Sequence, residues 1–246
     1  MKNPVLKFLY LLWYLPVLVL STVTLGTICV AVSYFSARAA RFLTNLGWGH
    51  IVLDPAGVTL RATGLENLSK SEGEKGGGFI IYANHSSLTD IPTVALATKK
   101  SVSWVAKASL GRIPFFGWAL ARVHMLVDRG GGPEAARQMV EEATRRLEGG
   151  EILAIFPEGT RNRDSETLLP FKKGAFILAK HTGAPLVPLA IKNAGNIWPA
   201  GKYWPQPGAI RVKVGPPLEP RPGEQLGELT ARAQTALQEL LSDDSW

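Results

Sequence analysis

The chain reads as an α/β protein with a mixed, largely parallel sheet covered by helices on both faces, preceded by a membrane-embedded helical segment. Three observations predict this. Short apolar runs alternate with helical stretches from residue 57 to the C-terminus. Several of those runs are apolar throughout, as strands covered on both faces require. From Phe8 to Ala37 there is no charged side chain, well past the ~18 residues that mark a bilayer-spanning helix.

The 246 residues are expected to divide at residue 42, into a membrane-embedded helical anchor over 1–42 and an α/β domain over 43–246. The apolar run is too long for a signal-peptide core of ~7–15 residues. Lys2 and Lys7 precede it and Arg38 and Arg41 follow, so the positive-inside bias favours neither orientation. Pro16 and Gly26 would let it break into two helices, each only ~20 Å long against a hydrocarbon core of ~30 Å. A hairpin in one leaflet would then leave both basic ends among the headgroups, and a tilted single helix over residues 17–35 is the other arrangement. The net charge of +7 and pI near 9.6 suit anionic lipid or acidic substrates. No ribonucleoprotein-type aromatic pattern, zinc finger or helix-turn-helix occurs, so nucleic acid is not an expected partner. Cys29 is the single cysteine. It allows no intrachain disulfide, and in hydrocarbon its thiol would stay neutral and unreactive.

Taken in order, GVTLRATG (57–64) alternates as a strand and ENLSKSEGEKGGG is a polar loop. FIIYA (79–83) is a buried-type strand, TVALATKK a helix, and SVSWVAK (101–107) a strand. IPFFGWALAR (113–122) is helical after its proline, and VHMLVDR (123–129) returns as a strand. The following helix opens with Pro133 and Glu134, closes with Arg145 and Arg146, and stops at Gly149–Gly150. Its apolar stripe is Ala136, Met139, Val140, Ala143 and Leu147. EILAIF (151–156), LVPLAIK and AIRVKVG supply three more strands. A helix from KKGAFILAKHTG ends at Gly183, and Leu226, Leu229, Ala233, Leu237 and Leu240 stripe a closing helix.

Chemistry-bearing residues gather where strands end, the place where open α/β sheets bind ligands. NHSSLTD (84–90) follows the FIIYA strand and holds His85 and Asp90. On one helix, residues five apart point ~140° away from each other. The two can meet only if His85 lies in the loop and Asp90 in the first helical turn. Asp90 could instead be capping hardware, as the last member of a Ser87–Asp90 capping box or as an N-cap before Pro92. IFPEGTR (155–161) turns sharply after a strand, and its Arg161 fork suits a phosphate; a solvated surface turn is the plainer alternative. Lys107 and Arg129 also end strands, so with Arg161 they would share a rim within reach of His85. There is no H-E-x-x-H or Cys/His cluster, G-x-S-x-G elbow, Walker A or G-x-G-x-x-G loop, which sets aside a metal site, a serine hydrolase and nucleotide binding. His50, His124 and His181 read as structural or surface residues.

Together NHSSLTD, AKASLGRIPFFGW…LVDR, FPEGTR and APLVPLAI resemble, in order, the four motif blocks of the glycerolipid acyltransferases over residues 57–218. Two departures stand out: Thr89, where relatives often carry an apolar residue, and Asn162, where serine commonly follows the arginine. The resemblance implies the acyltransferase fold and transfer of an acyl group from acyl-CoA or acyl-ACP to the 2-hydroxyl of 1-acyl-glycerol-3-phosphate (lysophosphatidic acid), giving phosphatidic acid. It implies His85 as general base and Asp90 as its orienting acid. Lys107, Arg129 and Arg161 would bind phosphate, Glu158, Gly159 and Thr160 would shape the substrate-binding turn, and Pro188 would belong to the acyl-donor region. No metal or cofactor is implied beyond the acyl-CoA or acyl carrier protein co-substrate. The partners are lysophosphatidic acid and the lipid bilayer, and the place is the inner membrane with the site facing the cytoplasm. The rival readings are a related enzyme acting on another lysophospholipid or a lyso-aminolipid, and a non-enzymatic lipid-binding protein.

Overall fold

The computed structural model describes residues 4–71, 77–128, 130, 132–163, 167–199, 201–202 and 204–246. Two helices lead, α1 (Pro4–Ser33) and α2 (Ala37–Leu53). Pro16 and Gly26 both lie inside the continuous α1, so the apolar segment does not break there. The chain instead reverses at residues 34–36, where the Ser36 side chain caps α2 by accepting from Ala39 N–H at 3.1 Å. Gly26 serves packing rather than breakage, since a Cβ there would stand 2.8 Å from the Phe115 carbonyl oxygen. Phe8–Ser33 is, by length and composition, the one stretch among the described residues able to cross a membrane.

The sheet follows from β1 (Val58–Thr63), β2 (Ile80–Ala83), β3 (Val102–Lys107), β4 (Met125–Val127), β5 (Ile152–Ile155), β6 (Leu186–Lys192) and β7 (Gly208–Val214). Between and after them run α3 (Glu66–Ser71), α4 (Asp90–Thr98), α5 (Phe116–Val123), α6 (Gly132–Glu148), α7 (Gly174–Thr182), α8 (Ala194–Ile197) and α9 (Leu226–Ser242). The strand order is β1-β7-β6-β2-β5-β3-β4, and only β6 and β7 pair antiparallel. All seven predicted strands are found, in a mixed, mostly parallel sheet.

Strand alternation sorts two cores. Ile81, Ala83, Val102, Trp104, Val187 and Leu189 point to one side, with α2, α4 and the Tyr14 ring of α1. Ile80, Tyr82, Leu153 and Leu186 point to the other, against α6, α7 and α9.

Four expectations change. Residues 66–71 are helical rather than loop, because Asn67 donates to Val214 O at 2.9 Å and Ser71 to Asn67 O at 2.7 Å; residues 72–76 of that stretch lie outside the described residues. Ala136 is exposed, because the first turns of α6 are solvated, with Arg137 paired to Glu134 and Glu141. Leu241 joins the buried side of α9, where Leu226 and Leu240 are half-buried. Arg41 does not reach a headgroup. It is buried, donating to Glu151 Oε2 and Val123 O at 2.8 Å and to Ser101 Oγ at 3.1 Å. The expected boundary after residue 42 falls inside α2, which that arginine ties to the end of α5 and to the residues just before β3 and β5. His50 also gains an acidic neighbour one turn on, Asp54 at 3.0 Å on the exposed end of α2.

Before α5 the chain makes a tight turn. Phe115 adopts φ 60° and ψ −58°, and Phe116 N–H closes onto Pro114 O at 2.7 Å. This is a strained γ-turn, tolerated where packing over-determines it, and here the Phe115 carbonyl fills the notch left by Gly26.

Candidate active site

β2 ends at Ala83, and the loop that follows is tied down before it reaches α4. Asn84 continues the β2–β6 pairing with its side chain, donating to Ile191 O at 2.9 Å and accepting from Ile191 N–H at 2.8 Å. Ser87 donates to Trp198 O at 2.8 Å and accepts from Thr89 N–H at 3.1 Å. His85 and Asp90 meet in this frame, with Nδ1 and Oδ2 2.7 Å apart.

Asp90 is wholly buried in the first turn of α4. Its Oδ2 also accepts from Ser86 N–H at 2.7 Å and Ser87 N–H at 2.8 Å. Neither capping frame is realised, because those N–H groups precede the helix and the N-cap is Thr89, which makes no side-chain cap bond. An oxygen already accepting two backbone donors places the imidazole proton on Nδ1, so the Nε2 lone pair is left as acceptor. The ring is 17% exposed, enough for a substrate hydroxyl to reach it. One face stacks on Phe156 at 4.1 Å and 14°, and Phe156 stacks in turn on Trp104 at 5.8 Å.

The FPEGTR turn after β5 supports the same loop. Glu158 is buried and accepts from His85 N–H at 2.8 Å with one oxygen and from Leu169 N–H at 3.0 Å with the other. Burial pushes its carboxyl pKa up, and the two backbone donors oppose that shift. With both oxygens engaged by backbone, Glu158 braces two loops and offers no surface to an anionic substrate. Asn162 N–H donates to His85 O at 2.6 Å, and Asn162 Nδ2 to Thr167 O at 2.6 Å. The departures at Thr89 and Asn162 are thus buried parts of the loop framework. Gly159 needs its φ of +69° for the turn, and a Cβ there would stand 2.8 Å from the Lys172 ammonium.

Thr160 and Arg161 are exposed on this turn, and Arg161 borders the same cavity as His85. Lys107 is exposed at the end of β3 and is not part of that wall. Arg129 lies outside the described residues. Pro188 is buried in the middle of β6 on the side facing α9, beside Leu240 and Gly215, so it lies across the sheet from the cavity. Sequence reasoning missed Phe156 and Trp104 as the stack beneath His85, and Lys172 over the turn. The K-K preceding α7 was legible only as a helix start. It also missed the cavity, of about 380 Å³, running from His85 and Arg161 between α1, α2, α4 and α5. Its wall is largely apolar, with Leu25, Leu88, Ile91, Leu110, Phe116 and Leu120 among its members. A gap between four helices leaves no contiguous signature in the chain.

The comparisons with known proteins give the family and the fold. Residues 59–192, more than half the chain, match the family model described as Acyltransferase. A 1-acyl-sn-glycerol-3-phosphate acyltransferase of Pseudomonas aeruginosa is 31% identical over 193 residues, covering 77% of this chain and 72% of the relative. One from Saccharomyces cerevisiae is 34% identical over 64% of this chain, and the match spans about half of the yeast protein (51%). The crystal structure of the 1-acyl-sn-glycerophosphate (LPA) acyltransferase PlsC from Thermotoga maritima superposes with a TM-score of 0.81 over 98% of both chains, at 24% identity, which establishes the shared fold. The chain belongs to the glycerolipid acyltransferase family, among its 1-acyl-sn-glycerol-3-phosphate acyltransferases.

Proposed function

We propose that His85 catalyses acyl transfer from an acyl thioester, acyl-CoA or acyl-ACP, to the free 2-hydroxyl of 1-acyl-glycerol-3-phosphate at the inner membrane. The observation that carries this is the His85–Asp90 pair at 2.7 Å, its ring bordering a largely apolar cavity of about 380 Å³. Nε2 takes the hydroxyl proton as the oxygen attacks the thioester carbonyl. The new C–O bond forms, the C–S bond breaks, and the imidazolium returns its proton to the departing thiolate. Asp90 holds the tautomer and stabilises the imidazolium. The Phe156 face adds a weak cation–π contribution once the ring is charged. No acyl-enzyme is required, because a thioester is already activated.

Arg161, with Lys172 and Lys107, receives the acceptor phosphate; Arg129, outside the described residues, is assigned there by its position in the sequence. Glu158 and Gly159 act by holding the turn, while Thr160 stands beside Arg161 on its exposed side. The cavity receives an acyl chain, which its largely apolar wall suits. The membrane anchor consists of α1 with α2 as its bracket. Tyr14 and Cys29 of α1 are buried against the body, whereas Phe8, Leu12, Trp13, Val19 and Leu20 are exposed. That outer face lies in lipid, so the lysolipid need not be extracted at ~0.8 kcal/mol per methylene, and the site faces the cytoplasm.

The test is release of free thiol from palmitoyl-CoA by the purified full-length protein in vesicles, with and without lysophosphatidic acid. Thiol release should require lysophosphatidic acid, with lyso-aminolipids as poor acceptors, and should disappear in His85→Ala while unfolding is unchanged. Acceptor-independent release, or a His85→Ala protein as active as wild type, would refute the assignment.

A further inference from the structure

The cavity is not apolar to its end. Thr22, Thr44, Asn45, Trp48 and His124 also border it. Three of these satisfy themselves locally. Trp48 Nε1–H donates to Thr22 Oγ1 at 3.1 Å, Thr22 to Leu18 O at 2.7 Å, and Thr44 to Ala40 O at 2.8 Å. Asn45 and His124 are different, because each spends one polar atom on the sheet and keeps another.

The reason lies in the strand pairing. β4 reaches only Val105–Lys107 of β3, so the first residues of β3 lack a strand partner on that side. Buried backbone groups need partners, and side chains supply them. Asn45 Nδ2 donates to Val102 O at 2.8 Å, and His124 Nδ1 accepts from Trp104 N–H at 3.2 Å. Accepting at Nδ1 puts the ring proton on Nε2. Burial, with Arg41 and Arg146 nearby, lowers the His124 pKa to about 3, so the ring stays neutral and that tautomer persists. Nε2–H of His124 and Oδ1 of Asn45 then make no hydrogen bond among the described residues; both residues are more than nine-tenths buried and what they expose borders the cavity. Their sheet contacts are two residues apart on β3, so one donor and one acceptor stand over the same ~7 Å of strand. Trp104 and Phe156 separate that spot from the catalytic ring, in successive stacks of 5.8 and 4.1 Å.

We infer that Asn45 and His124 form a polar subsite within the acyl cavity that receives a hydroxyl group carried along the acyl chain. A hydroxyl donates once to Asn45 Oδ1 and accepts once from His124 Nε2–H, which satisfies both. A plain methylene there leaves two buried polar atoms unpaired, at a cost that discriminates between chains. This rests on the reading of the cavity as the acyl site.

The test compares palmitoyl-CoA with a series of hydroxypalmitoyl-CoA isomers differing in hydroxyl position, using lysophosphatidic acid and the full-length enzyme in vesicles. The quantity read is each isomer's kcat/KM divided by that of palmitoyl-CoA. One mid-chain isomer should stand above its neighbours by about 5–10-fold, the worth of one or two net hydrogen bonds. Asn45→Leu and His124→Phe should remove that peak. His124→Gln, which can accept from Trp104 N–H and donate from its amide, should keep part of it. Should His124→Phe fail to fold, Asn45→Leu and the wild-type profile still decide. A ratio independent of hydroxyl position, or a peak that survives Asn45→Leu, overturns the subsite. Displacement of a fluorescent fatty acid by palmitate and by the hydroxypalmitates separates this from the activity itself. The same positional preference in binding without turnover would support the subsite while refuting the acyl-transfer reading, and turnover without preference would do the reverse.

Discussion

Two regions border the cavity and are built on opposite plans. On its inner side, Asp90, Glu158, His124 and Arg41 are buried and held by hydrogen bonds to backbone or partner side chains. Arg161 on its border, and Lys107 and Lys172 outside its lining, are exposed, and none is engaged by a carboxylate among the described residues. On the proposed mechanism the buried region holds the group that must not move during proton transfer, because misplacement by an ångström costs far more than a hydrogen bond. The exposed cations would, on the same proposal, meet a ligand from water and need no prior geometry. One region is therefore sensitive to single atoms, and the other to charge and fork shape.

The largest effect belongs to the buried region. Asp90→Asn retains the shape but loses the charge and favours the wrong tautomer, and kcat should fall by about a hundredfold or more. Steady-state rates with saturating lysophosphatidic acid test this, and a variant with near-wild-type kcat would remove Asp90 from the mechanism.

His124 gives the next effect, in stability rather than rate. Its folded pKa of about 3 lies below the ordinary imidazole value of 6.5, so the unfolded chain binds the proton more tightly. The stability linked to this ring is complete above pH 6.5 and is lost as pH falls toward 3. The whole span is worth on the order of 4–5 kcal/mol. Carboxylates titrate in the same range, so the decisive measurement is the difference between wild type and His124→Gln in denaturant unfolding at several pH values. Parallel curves would show that the ring titrates normally.

Arg41→Met probes how firmly the anchor is clamped to the sheet. The substitution leaves Val123 O and Glu151 short of a donor, though Arg146 stays within 3.4 Å of both. A loss of about 3 kcal/mol is expected, the low end for one member of a buried pair. For a chain of this size that lowers Tm by roughly 6–12 °C. An unchanged Tm would mean that α2 is held by apolar packing alone.

The smallest effects lie on the rim. Arg161→Lys should lower acceptor kcat/KM by about ten- to a hundredfold, because a point ammonium cannot reproduce a two-pronged fork. Lys107→Met, farther from the cavity wall, should cost only a few-fold and flatten the salt dependence. Equal losses with phosphate-bearing and phosphate-free acceptors would make Arg161 structural and move the phosphate elsewhere on the rim.

Much of this molecule was legible from the chain. Seven apolar runs between helical stretches were sufficient for the α/β class, since period and burial pattern are local properties. His85, Asp90 and the FPEGTR turn were recognisable because these loops are contiguous and carry unusual residue types. What depended on contacts between distant residues was not legible. Arg41 looked like a headgroup-facing cation until Glu151, 110 residues away, was found beside it. Glu158 was read as shaping its turn, but the two backbone donors that engage its oxygens, one 73 residues away, were not legible. Pro188 stood in a motif block, but strand alternation turned it to the far side of the sheet. The tautomer of His124 depends on where β4 stops pairing with β3, and the cavity on how closely four helices approach. Local patterning determines which elements form and which residues can do chemistry; burial, facing and partner choice are set only when separate elements pack, because each arises from atoms that the sequence holds far apart.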